Sequence, residues 1–351
     1  MMNNRYDKIL IMNYLAIGDL VFSTPLIRVL KENYPQAEIH MSIWDKTANV
    51  IKSSPYIDKF IYFSKEGPPR SLDRYKGYFK YIKKIRKEKY DLVIGLQDNK
   101  NIALFSWLSG AKKRIGFARK KREKFYTDYF SPERQMHNVD YYLQVAEILN
   151  LNTNLDKGLE VCINKTQKRF ANQFLLKHKS GHGDNKLIGL NVGARFEVKC
   201  WPIQKFVELG NKLVDELGVN IIFFGGPKEE EKIETINKYI KNDKKMINAV
   251  GETSILELAA LLERCDLLVT NDTGPMHISV GIGTPVVALF GPSDHEVFGP
   301  YGKEHKVIQK QELDCVPCGN HTARNHECDK NHECMKDITV KEVLRAIEER
   351  L

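Results

Sequence analysis

The chain has 351 residues, of which 42% are hydrophobic and 28% charged, and its formal net charge is +9. That is long enough for two domains of ordinary size and apolar enough to give each a core, which excludes a disordered chain. The charge is uneven, with 27 Lys and Arg against 16 Asp and Glu in residues 1–150 and 27 against 29 in residues 151–351; the first half is therefore expected to face an anion such as a phosphorylated lipid surface, an acidic sugar or nucleic acid, or else to be a solvated basic surface.

In chain order, KILIMN (8–13) predicts a strand, followed by a helix from about Leu20 to Asn33. The apolar run at the start is interrupted by Asn13 and followed by Gly18-Asp19, too short for a signal h-region or a membrane span, so a cytoplasmic location is expected. Next come a strand at 37–44, a helix near 46–53, a strand at 59–63 and a basic helix near 74–88. A strand at 91–96, a short helix near 101–109 and a helix near 139–149 complete the first half. KKIRKEK (83–89) reads as a solvated helix face. AKKRIGFARKKREKF (111–125) reads as a loop mixing cations with Phe117 and Phe125, and its Lys120, Lys121 and Arg122 are the better candidates for an anion-facing surface.

The pattern restarts after a polar stretch, with Thr166 as the expected N-cap of a helix. Strands follow at 186–193, 220–226 and 247–251, with a helix opened by Pro202 and a second over EEEKIETINKYI. Ser254 and Glu257 form a capping box before ILELAALLER. CDLLVTN and TPVVALFGP are two further strands around the short helical GPMHISVGIG, and a helix boxed by Thr339 and Glu342 closes the chain. Alternating strands and helices imply two doubly wound parallel-sheet domains of the α/β class with a crevice between them, residues 1–165 and 166–351. The second holds a cysteine-rich segment, 315–334, and the closing helix, 339–350.

In such units the loops at the carboxyl ends of the strands carry the ligand. In the second half, Asp272-Thr273-Gly274-Pro275 leads into a helix whose backbone N–H groups and dipole suit a phosphate, and His277 stands one turn behind Thr273 as a further donor or a core histidine. Gly193, Arg195 and Lys199 offer backbone and cationic groups before a Pro-started helix, though a lysine there is also an ordinary surface residue. Glu229 can accept hydrogen bonds from a ribose or simply stabilise the first turn of its helix. In the first half, Asp19 is an N-cap, a crevice carboxylate, or both. There is no Walker A pattern, no complete G-x-G-x-x-G after a strand, no D-x-D strand-end pair for Mg²⁺ and no recognisable nucleic-acid module.

LAIGDLVFSTPLIRVLKENYP, NVGARFEVKCWP, FFGGPKEEE and LLVTNDTGPMHISVGIGTPVVALFGP together resemble glycosyltransferase family 9, the lipopolysaccharide heptosyltransferases. The resemblance implies the GT-B fold, with an acceptor-binding first domain and a second domain binding a nucleotide sugar, usually ADP-heptose. It further implies Asp19 as general base, Lys199 beside the phosphates, Glu229 at the nucleoside, and Asp272, Thr273, Gly274 and His277 in the diphosphate turn. The implied reaction is an inverting heptose transfer to the lipopolysaccharide inner core at the cytoplasmic membrane face, with no catalytic cofactor. Ala194 and Arg195 replace hydroxyl residues of some members, and the alternative keeps the mechanism with another sugar or acceptor. Finally, Cys315, Cys318, Cys328 and Cys334, with His321, His326 and His332 among them, suggest a structural zinc clip, with free thiols and disulfides as alternatives.

Overall fold

Strands buried on both faces read as unbroken apolar runs, and KILIM, LVIG, LIGLN, LLVTN and VVALF form such strands. The computed structural model describes residues 6–64, 71–119, 121–131, 136–153, 158–178, 185–241, 245–318, 328 and 330–351. The chain divides into two compact units, Met1–Lys157 and Gly158–Leu351.

The first unit runs β1 (Lys8–Met12), α1 (Ile17–Phe22), α2 (Thr24–Asn33), β2 (Glu38–Ile43), β3 (Lys59–Tyr62), α3 (Leu72–Glu88), β4 (Leu92–Gly95), α4 (Lys100–Leu108), β5 (Lys113–Phe117), β6 (Asp128–Phe130) and α5 (Asn138–Ile148). Its strands form one parallel sheet in the order β3-β2-β1-β4-β5-β6, with Ile9 level with Ile39 on one side and Leu92 on the other. The second unit contains α6 (Lys165–Lys177), β7 (Leu187–Asn191), α7 (Ile203–Leu217), β8 (Asn220–Phe224), α8 (Glu230–Tyr239), β9 (Met246–Asn248), α9 (Ile255–Leu262), β10 (Leu267–Asn271), α10 (Gly274–Gly281), β11 (Val286–Phe290) and β12 (Lys306–Gln309). Its sheet is again parallel, in the order β12-β11-β10-β7-β8-β9. Counted within each unit, both orders are 3-2-1-4-5-6, the doubly wound dinucleotide-fold order. The chain changes direction across the sheet between β1 and β4 in the first unit and between β7 and β10 in the second. The loops at the carboxyl ends of those two pairs are where such folds place ligands.

Several local expectations change. The helix expected over 20–33 is two helices, because Pro25 cannot donate to Val21; the Thr24 hydroxyl donates to the Val21 carbonyl instead, at 2.7 Å, and the Ser23 hydroxyl to Leu20 at 2.6 Å. The segment expected as a helix near 46–53 is a 3₁₀ turn, Asp45–Ile51. Asn164 rather than Thr166 caps α6, since its side chain accepts from the Thr166 N–H while Gln167 reaches back to the Asn164 N–H. The capping boxes at Ser254 and Thr339 form as expected.

The stretch 111–125 is not a free loop: it contains β5, and Phe117 is a core residue stacked on Phe130 and on Tyr141, 5.3 and 4.0 Å between centroids. β6 and β12, edge strands of three and four residues, carry no long apolar run and so escape pattern reading.

Gly116 shows how closely the first unit is packed. A Cβ there would meet the buried Tyr126 ring at 2.3 Å, and a Cβ on Gly95 would meet Ile102 Cγ2 at 2.6 Å and the Tyr126 hydroxyl at 3.0 Å. Gly116→Ala should therefore destabilise the unit by about 1–3 kcal/mol through overpacking, read as a lowered urea midpoint with an unchanged slope.

Candidate functional site

At the β7/β10 switch point, two asparagines end adjacent strands. Asn191 and Asn271 are buried, and the Asn271 amide donates to the Gly193 carbonyl at 3.2 Å while its oxygen accepts the Trp201 N–H at 2.9 Å. The Asn191 amide donates to Thr270 Oγ1 at 3.0 Å and to the Gly193 carbonyl at 3.2 Å. Trp201, 2% exposed, packs edge-on against Phe206 and donates its indole N–H to the Ile338 carbonyl. The loop from Gly193 to Trp201 is thus pinned at both ends to the end of β10. Sequence reasoning missed these residues, although an Asn closing each of two buried strands, GLN and VTN, was the available signal.

The pinned loops bring the expected residues together. Lys199 Nζ lies 2.6 Å from Asp272 Oδ2, with side chains 20% and 9% exposed, so the two form one partly buried ion pair. Thr273 is the N-cap of α10, with Gly274 and Pro275 in its first turn; Pro275 has no N–H, and the Met276 N–H donates to the Thr273 carbonyl at 3.1 Å. His277 follows one turn on, 4% exposed. From β8, Glu229 Oε2 accepts the Gly226 N–H at 2.8 Å, and a Cβ on Gly193 would come within 2.7 Å of the Glu229 carboxyl carbon. Glu229 thus braces the start of its own helix, and only a glycine at 193 leaves it room. Arg195 is exposed, its guanidinium 5.3 Å from the centroid of Phe196.

In the first unit, Asp19 is not an N-cap, because α1 begins at Ile17 after Ala16; the half-buried Asp19 sits in the first turn, and its carbonyl accepts from the Asn13 side chain at 3.2 Å. An acid there suits the positive helix end. The β1 and β4 ends are joined by the Tyr14 N–H donating to Gln97 Oε1 at 2.8 Å.

Of the basic candidates, Lys120 lies outside the described residues, Lys121 is exposed, and Arg122 donates to both oxygens of Asp98 at 2.5 Å each. That pairing raises the Arg122 pKa above its ordinary value, and it ties the guanidinium to the protein instead of to an outside anion.

No two of the seven cysteines are joined by a disulfide. Cys334 is buried, and burial, then the thiols of Cys318, Cys328 and Cys315, push its pKa up to about 11. Cys328 Sγ accepts the His332 N–H at 3.3 Å. Among the described residues no group of three or more His, Cys, Asp or Glu is gathered to hold a metal ion, and His321 and His326 lie outside those residues. Nor is any described helix long and apolar enough to cross a membrane.

Two doubly wound units, each a parallel six-stranded sheet with helices, define an α/β protein of GT-B architecture. Residues 78–328 match the description "Glycosyltransferase family 9 (heptosyltransferase)". The chain belongs to that family and is a glycosyltransferase. It is 28% identical over 351 residues to lipopolysaccharide heptosyltransferase 3 of Escherichia coli K12, spanning 95% of each chain. The crystal structure of a family 9 glycosyl transferase from Veillonella parvula superposes with a TM-score of 0.87 at 29% identity, covering 99% of this chain and 98% of the other. The E. coli ADP-heptose lps heptosyltransferase II shares the fold, with a TM-score of 0.76 at 24% identity and 98% of each chain covered.

Because Asp272 is nearly buried, Lys199→Ala leaves a carboxylate without its cation. We expect a loss of about 1–3 kcal/mol and, in a cycle with Asp272→Ala, a coupling above about 1 kcal/mol by chemical denaturation. Strict additivity would mean that the 2.6 Å pair is not formed in solution.

Proposed function

We propose that the chain moves heptose from ADP-heptose to an inner-core lipopolysaccharide acceptor, with inversion, at the cytoplasmic face of the inner membrane. The observation that carries this is the convergence of Gly193, Lys199, Glu229 and Asp272 at the β7/β10 switch point, in a chain resembling heptosyltransferases along nearly its whole length.

In this proposal the second unit binds the donor. Glu229 takes the nucleoside side, Gly193 gives the ligand access to the backbone, and Arg195 supplies an exposed cation. The Thr273 hydroxyl and the Gly274 N–H at the start of α10 receive the diphosphate, with Lys199 and His277 adding positive or donor groups as charge grows on the leaving phosphate. Asp272 holds Lys199 in place. The first unit binds the acceptor, and Asp19 takes the proton from the acceptor hydroxyl as its oxygen attacks the anomeric carbon. The bond to the diphosphate breaks as the new glycosidic bond forms, so a single displacement inverts the centre through an oxocarbenium-like transition state. No catalytic cofactor enters this scheme. Of the basic loop, Lys121 remains an acceptor-side candidate.

Two measurements test the assignment. Asp19→Asn should keep ADP affinity and lower turnover on the order of 10²–10⁴-fold; an unchanged kcat leaves Asp19 a helix-end residue only. By isothermal titration, Gly274→Val should weaken ADP binding more than His277→Ala, whose loss we expect at about 1–3 kcal/mol. Wild-type affinity in a folded Gly274→Val variant would put the nucleotide elsewhere.

The zinc clip at Cys315, Cys318, Cys328 and Cys334 is a separate proposal, supported by the C-x2-C spacing and the N–H···S bond at Cys328. Protein purified under reducing conditions should then carry about one zinc per chain and lose stability to a chelator; a metal-free preparation of equal stability would end it.

A further inference from the structure

Helix α3 buries one face and leaves the other as two distinct sectors. Gly77, Tyr81 and Ile85 are buried. Leu72, Tyr75 and Phe79, spaced i, i+3 and i+7, are 78%, 58% and 71% exposed, so they form one continuous apolar stripe on the outside. Beside it run Lys76, Lys80, Lys83 and Lys87, spaced i, i+4, i+7 and i+11 and all exposed. A solvated helix face has no use for three large uncovered apolar side chains in a row, whereas an apolar stripe flanked by lysines is the pattern of a helix lying in a lipid interface.

The position of the stripe adds to this. α3 follows β3, so it starts at the carboxyl edge of the first sheet, the edge from which α1 and Asp19 also start. Its apolar half is the half nearest that edge, and the lysines extend away along the helix. A lipid-linked acceptor would reach Asp19 at the edge where the stripe begins.

We propose that the exposed face of α3 docks on an anionic lipid bilayer, with Leu72, Tyr75 and Phe79 entering the interface and Lys76, Lys80, Lys83 and Lys87 facing the headgroups. This rests on the reading of the acceptor as lipid-linked; vesicle binding is measured without transfer, so the two can fail separately. The complementarity is one of charge: the helix offers seven Lys and Arg against two acidic residues, and the unit that carries it is the basic one.

The test is sedimentation of the full chain with vesicles of phosphatidylglycerol and phosphatidylcholine mixed, or of phosphatidylcholine alone. Wild-type protein should partition to the anionic vesicles at least about tenfold better and should lose most of that preference in about 0.5 M salt. Leu72→Ser/Tyr75→Ser/Phe79→Ser should lower the partition about tenfold or more while ADP affinity and the circular dichroism spectrum stay as in wild type. Lys80→Glu/Lys83→Glu/Lys87→Glu should abolish the preference for anionic lipid, which gives a second reading if the serine variant folds poorly. Equal binding to both vesicle types, or variants that bind like wild type, overturns the proposal. So does a wild-type dimer dispersed by the serine substitutions, which would make the stripe a contact between two copies of the chain.

Discussion

The carboxamide of Asn271 is the constraint on which the second unit's site depends. Two parallel strands that lead away to opposite sides of a sheet leave a gap at their carboxyl ends, with backbone groups unpaired by the ladder. Asn271, fully buried, fills that gap with one donor and one acceptor, tying the Gly193 carbonyl and the Trp201 N–H to the end of β10. Without the tie, the loop between them keeps the Asn191 bond to Gly193, the Trp201 indole bond to Ile338 and its 3₁₀ turn, Glu197–Lys199, but loses the backbone anchor to the end of β10. With it, Lys199 is delivered to Asp272, the residue directly after Asn271. Replacing the amide by an apolar group would leave the Trp201 N–H without its acceptor, at a cost of about 1–3 kcal/mol, while the Gly193 carbonyl would keep the Asn191 amide as its donor.

The ion pair so formed has chemical consequences. A lysine 20% exposed, 2.6 Å from a carboxylate 9% exposed, is fixed in place before any ligand arrives. It places a localised positive charge beside Asp272, one residue before the Thr273 N-cap and so near the positive end of the α10 dipole. The carboxylate limits how much net positive charge gathers there. In the proposed reaction that suits a leaving diphosphate, whose negative charge increases as its bond to the sugar breaks.

The two halves of the architecture were legible to different degrees. The buried strands and the Ser254 and Thr339 capping boxes could be read because their patterns are local: apolar runs, and Ser or Thr three residues before Glu. The loops Gly193–Lys199 and Asp272–His277 were legible as strand-to-helix turns, but the Lys199–Asp272 contact joins residues 73 apart and no local pattern encodes it. The two strand-ending asparagines were a local signal, but the partners of Asn191 and Asn271, on a neighbouring strand and in the Gly193–Trp201 loop, were hidden for the same reason. β5, β6 and β12 were missed because edge and near-edge strands alternate or carry charge, as in KRIGF, DYF and KVIQ. Asp19 was placed on the right helix but at the wrong position, since cap assignment from sequence shifts by a residue or two.

The basic charge of the first half is distributed differently from what its sequence pattern suggests. Sequence pattern favours 111–125 over 83–89 as the surface that meets an anion, because cations interleaved with phenylalanine look like a recognition loop. Folding assigns that interleaving to a strand: Phe117 enters the core, Lys113 pairs with Asp128, Arg114 donates to the Phe125 and Ala111 carbonyls, and Arg122 is held by Asp98. Cations used in this way are stabilised where they are, and moving them to an outside anion would strand buried acceptors. The lysines of α3 carry no such obligation toward the core, whose contacts are made by Gly77, Tyr81 and Ile85 on the other face. Charge that the fold does not use internally stays available to solvent and to polyanions, and the lysines of α3, gathered on one side of an exposed apolar stripe, are the part of that surplus on which the proposed bilayer contact draws.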